Sequence, residues 1–114
     1  MDNKRLDEIT YVFLINSDVP MSGGKVAAQV ANVAVQLPKA ELKPLEDPRT
    51  YVLSATEDYM IWLLENFEKK LGIKYTVDAG FTEYTVGVLT CIGWKREAWM
   101  RIFTDSLKLF KQQK

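Results

Sequence analysis

Lys25 is the residue around which chemistry can be built. It follows Ser22-Gly23-Gly24 at the start of a helix-forming run. The first N–H groups of a helix have no partner inside it, and the helix dipole adds partial positive charge there, so such a junction suits an anion. The two glycines let a phosphate or carbonyl oxygen approach the backbone, and the ammonium adds a formal charge. A nucleoside-triphosphate loop would need Gly where Val19 stands and Ser or Thr where Val26 stands, and neither is present. The plain alternative is a Gly-rich turn that serves geometry alone.

Along the same helix Lys25, Gln29, Asn32 and Gln36 recur at spacings of four, three and four, which aligns them on one side. They form either a solvated stripe or a polar seam facing a ligand cleft. A second candidate region is Asp78-Ala79-Gly80-Phe81-Thr82-Glu83, an acid just past a strand followed by Gly and Thr. Ligands of open α/β sheets gather beyond the carboxyl ends of strands. If the first and third strands run parallel, Asp78 and Thr82 share a rim with Gly23-Gly24-Lys25. Alone, the Asp-Ala-Gly run reads as a turn.

The elements that must position these residues alternate. Ile9 to Ile15 is a β-branched and aromatic run suited to a strand covered on both faces. Ser22 is a suitable N-cap for a helix from Gly23 to Leu37, which Pro38 stops. Its alanines (27, 28, 31 and 34) are expected to let it approach the sheet closely, with Val26, Val30, Val33 and Leu37 filling the remaining contacts. Thr50 to Ala55 forms a second strand. Glu57 to Leu71 forms a second helix, with acids in its first turn, Lys69 and Lys70 in its last and Gly72 as a stop.

Ile73 to Val77 and Val86 to Ile92 are a third and fourth strand joined too closely for a helical crossover, hence antiparallel. The segment Lys95 to Lys111 presents Trp99, Ile102, Phe103, Leu107 and Phe110 at helical spacing and is expected to be a third helix. The order is β-α-β-α-β-β-α, an α/β fold with a mixed four-stranded β-sheet and helices on its faces. At 114 residues the chain is expected to form one domain spanning 1–114.

Composition narrows the chemistry further. The sequence has no His, so imidazole acid–base chemistry and His-ligated metals are excluded. The single Cys91 cannot close an internal disulfide, which fits a reducing cytoplasm. No apolar run approaches the roughly 20 residues that span a bilayer, and the mixed-charge N-terminus is unlike a signal peptide. Fifteen cations balance fifteen anions, which excludes a polybasic nucleic-acid binder whose grip comes from unbalanced charge. The stretch from Lys95 onward is locally basic, with Lys95, Arg96, Arg101, Lys108, Lys111 and Lys114 against Glu97 and Asp105. Trp62, Trp94 and Trp99 are read as core or interface residues before base-stacking platforms.

Asp18, Met21, Gly24-Lys25-Val26-Ala27-Ala28-Gln29, Asp78-Ala79-Gly80 with Thr82, and the closing Leu107-Lys108-Leu109-Phe110 together resemble the type-2 peptidyl-tRNA hydrolase family. The resemblance covers nearly the whole chain in order, with a shortened connector at Lys39 to Asp47. It implies a three-layer α/β sandwich that hydrolyses the ester between a peptide and the 3′ ribose of tRNA. It implies tRNA as partner, no cofactor, no metal, a cytoplasmic setting and a homodimer as one option.

On that resemblance Lys25, Asp78, Thr82 and Asn32 are the catalytic candidates, and Gly23, Gly24, Gln29, Gly80 and Asp18 the substrate-binding ones. Family members typically carry basic residues at the places of Asn16 and Gly23, His at Asn32, Arg at Phe81 and Gln at Glu83. These departures remove positive charge from a face that would hold phosphates. They leave open a relative whose cleft binds a nucleotide, an RNA end or a protein without catalysis.

Overall fold

The computed structural model describes residues 10–39, 49–77 and 88–111. The apolar run near the N-terminus forms β1, Thr10–Asn16, with Val12 to Asn16 buried. It is buried because it lies in the middle of a five-stranded sheet, one strand more than the four read from the sequence. The strands in chain order are β1, β2 (Arg49–Ala55), β3 (Lys74–Val77), β4 (Leu89–Arg96) and β5 (Lys108–Leu109). Their spatial order is β3-β4-β1-β2-β5. β1 pairs parallel with β2 and antiparallel with β4, and β3 pairs antiparallel with β4. The first and third strands therefore do run in one direction. The carboxyl ends of β1, β2 and β3, at Asn16, Ala55 and Val77, meet on one rim beside the start of β4.

Strand alternation sends successive side chains to opposite faces. Phe13 and Ile15 pack with Val26, Val33, Leu37 and Cys91 beneath α1 (Gly23–Ala34). Val12 and Leu14 pack with Met60, Leu63, Leu71, Ile92 and Trp94 beneath α2 (Glu57–Leu71). The result is a three-layer sandwich. Layer spacing on the α1 side is set by Gly93, where a Cβ would stand 2.7 Å from Phe13 Cδ1, 2.9 Å from the Val12 carbonyl oxygen and 3.0 Å from Val33 Cγ1.

Both helices begin as their sequences specify. Ser22 Oγ accepts from the Lys25 N–H at 3.2 Å, and Thr56 Oγ1 accepts from the Tyr59 N–H at 3.2 Å. α2 ends at Gly72, in the left-handed region at φ 73°. α1 stops at Ala34, three residues before the predicted Leu37, and the chain tightens through i→i+3 bonds from Gln36 to Val33 and from Leu37 to Ala34. The residue before a proline is disfavoured in helical geometry, and Leu37 precedes Pro38. The four alanines are exposed and do not face the sheet. The larger Val26, Val30, Val33 and Leu37 take the buried stripe because each removes more apolar area from water.

The expected helix at Lys95 to Lys111 is absent. β4 continues through Trp94 to Arg96, a 3-10 helix spans Ala98–Phe103, and the chain turns into β5 on the free edge of β2. The Phe110 N–H donates to the Val52 carbonyl at 2.8 Å. Leu107 packs on the α2 side of the sheet and Phe110 on the α1 side, whereas a helix would have put both on one face. Trp94 is fully buried, and Trp62 and Trp99 are about half exposed (45% and 47%) within an aromatic cluster formed with Tyr59, Phe67 and Phe103.

Candidate active site

The rim is assembled from the loop between β1 and α1, the start of α2 and the start of β4. Three residues tie these parts together. Asn16 closes β1 and is 1% exposed. Its Nδ2 donates to the Leu89 carbonyl at 2.8 Å and to Glu57 Oε1 at 3.0 Å, while its Oδ1 accepts from the Asp18 N–H at 2.8 Å. Asp18 Oδ2 in turn accepts from the Glu57 N–H at 2.9 Å. Asn16, Asp18 and Glu57 thus close a ring of hydrogen bonds. Ser17 adds two contacts to the Ala55 carbonyl, from its N–H at 2.8 Å and its hydroxyl at 3.1 Å.

From this anchored loop the chain enters α1. Gly23, Gly24 and Lys25 form its first turn, so the start of the helix stands on the carboxyl side of β1. Lys25 is half-buried. The polar seam has a direction. The buried Thr90 hydroxyl of β4 donates to Gln29 Oε1 at 2.8 Å, and the Thr76 carbonyl oxygen lies 3.1 Å from Thr90 Oγ1. Gln36 Nε2 donates to the Asn32 carbonyl at 3.0 Å and reaches the Tyr75 carbonyl at 3.4 Å. The seam therefore faces β3 and β4, and β3 ends at Val77 on the same rim. Asn32 is exposed on α1 two turns beyond Lys25. Asp78, Gly80 and Thr82 lie outside the described residues.

Reasoning from residue types missed Glu57 and Thr90. The available signals were Thr56-Glu57 at the start of a helix directly after a strand, and one hydroxyl inside the apolar run of β4. Cys91 is fully buried, and desolvation pushes its thiol up to about 12, so it is no nucleophile. Burial also raises the Tyr59 hydroxyl, which donates to the Phe103 carbonyl at 2.6 Å. Among the described residues no three His, Cys, Asp or Glu side chains gather as a metal site, and no helix is long and apolar enough to cross a membrane.

A three-layer α/β sandwich whose helix N-termini crown one rim defines a class of domains that bind ligands beyond the carboxyl ends of their strands. The family described as peptidyl-tRNA hydrolase PTH2 matches residues 9–110. A peptidyl-tRNA hydrolase of Thermococcus sibiricus is 32% identical, with 86% of this chain and 94% of the relative covered. One of Pyrobaculum aerophilum is 29% identical over 91% of this chain and 99% of its own length. The chain belongs to the PTH2 family and is a peptidyl-tRNA hydrolase-like protein.

Proposed function

We propose that this chain hydrolyses the ester joining a peptidyl or acyl group to the 3′ end of tRNA. The observation that carries the reading is the placing of the α1 N-terminus with Lys25 on the carboxyl rim of β1, next to the end of β3. Water adds to the ester carbonyl and the carbonyl oxygen becomes negative. Lys25 and the first amides of α1 neutralise that charge. The bond to the ribose 3′ oxygen then breaks, and that oxygen leaves as a hydroxyl with a proton from the attacking water. Asp78 orients the Lys25 ammonium or the water, and Thr82 and Asn32 position the ester or the water through neutral hydrogen bonds. Gly23, Gly24, Gly80 and Asp18 shape the approach, and Gln29, braced by Thr90, keeps the seam in place. Action in the cytoplasm, without a metal and with two copies of the chain as one assembly, belongs to the same reading.

Purified protein incubated with peptidyl-tRNA should release free tRNA and peptide in the presence of a chelator, and Asp78→Ala should abolish most of that release. Binding of tRNA without any release by the wild-type chain would replace the hydrolase reading with that of a binding module.

A further inference from the structure

We infer that Glu57 is a positioning residue for the rim, acting through Asn16 on the loop that leads into α1 and Lys25; the inference rests on the hydrolase reading above. Asn16 has two amide hydrogens and both are used, one on the Leu89 carbonyl and one on Glu57 Oε1. Its oxygen holds the Asp18 N–H. A buried amide with acceptors against its nitrogen and a donor against its oxygen has one orientation. Glu57 therefore fixes the plane of the Asn16 side chain, and that plane fixes where the β1–α1 loop leaves the sheet. Leu89 is the first residue of β4, so the same amide sets the distance between the α1 loop and the strand following the Asp78–Thr82 stretch. The Glu57 carboxylate caps no backbone N–H of α2, and its other role there is to complement the helix dipole from the first turn, which Asp58 shares. Asp18 caps the helix through the backbone N–H of residue 57, and Thr56 caps it through Tyr59.

That separation makes the inference testable. Glu57→Ala removes the accepting oxygen but leaves both caps, so the chain folds. Glu57→Gln keeps an oxygen that can accept from Asn16. Peptidyl-tRNA deacylation measured to separate kcat from KM should show kcat of Glu57→Ala reduced about tenfold or more, as small misplacements of reacting groups do. KM should stay within about twofold, and Glu57→Gln should remain within about twofold of wild type in both constants. Amide hydrogen exchange on the full chain gives a second readout that needs no activity. In Glu57→Ala the Asp18 N–H should exchange about tenfold faster while the Ile92 N–H in β4 keeps its wild-type rate.

Wild-type kcat and wild-type exchange in Glu57→Ala would overturn the inference. So would a Glu57→Gln variant as impaired as Glu57→Ala in both readouts, since the charge and not the accepting oxygen would then matter. If the wild-type chain does not deacylate peptidyl-tRNA, the hydrolase reading fails, and the exchange measurement alone decides whether Glu57 holds the loop.

Discussion

A lysine at a helix N-terminus next to glycines supplies donors from which an oxyanion site can be made in a chain without histidine. Removing one oxyanion donor typically costs about 10²–10³ in rate. Lys25→Ala should lower kcat by at least about 10²-fold with unchanged circular dichroism, because the helix is capped by Ser22 and not by the lysine side chain. Cys91 gives a second residue-level outcome. Its thiol is raised from 9.0 to about 12 in the folded chain by burial. The folded state keeps a proton that the unfolded state gives up, so the stability tied to this group is complete below pH 9 and is lost as pH rises from about 9 toward 12. Denaturant titrations across that range should show the decline, and Cys91→Ser should flatten the part due to the thiol. At this scale the Ser22 cap, the place of Lys25 in the first turn of α1 and the Gly72 stop were legible from type alone. The Asn16–Glu57 bond was not, because 41 residues separate its partners and nothing local selects them.

Elements succeed or fail as predictions according to what competes with their local pattern. α2 was legible in its bounds, since its charge order and terminal glycine agree. The C-terminal segment was not. Trp99, Ile102, Phe103, Leu107 and Phe110 have helical spacing, but Thr104-Asp105-Ser106 is turn-forming, and β2 has an edge that needs covering. Strand pairing there satisfies backbone groups that a free helix would leave open on β2. The sequence points the alanines of α1 at the sheet along with Val26, Val30, Val33 and Leu37; the larger residues do face it, whereas the close approach comes from the sheet, at Gly93. Gly93→Ala should destabilise the fold by about 1–3 kcal/mol in urea unfolding, because the neighbour at 2.9 Å is backbone oxygen and cannot rotate away. Thr56→Ala should cost about 1 kcal/mol through loss of the α2 cap.

On the scale of the whole molecule, zero net charge means that any grip on tRNA comes from a local excess of cations and not from a general field. Each neutralised phosphate contributes about 0.7–0.9 to the slope of log affinity against log salt. Even about three such contacts would weaken tRNA binding about 20- to 40-fold over a fourfold rise in salt. Filter binding or fluorescence titration at several salt concentrations should show such a slope, and a flat response would remove tRNA as the ligand.

The sheet order has a consequence for how the chain is made. β1 leaves the ribosome early, yet it occupies the centre of the sheet, between β2 and β4. Its β4 partner, residues 89–96, emerges only after α1, β2, α2 and β3. Until then the apolar β1 has one side unpaired, a surface that invites association with other chains. Closure of the sheet is therefore a late event in vectorial synthesis, and a nascent chain stalled before β4 is an aggregation-prone intermediate.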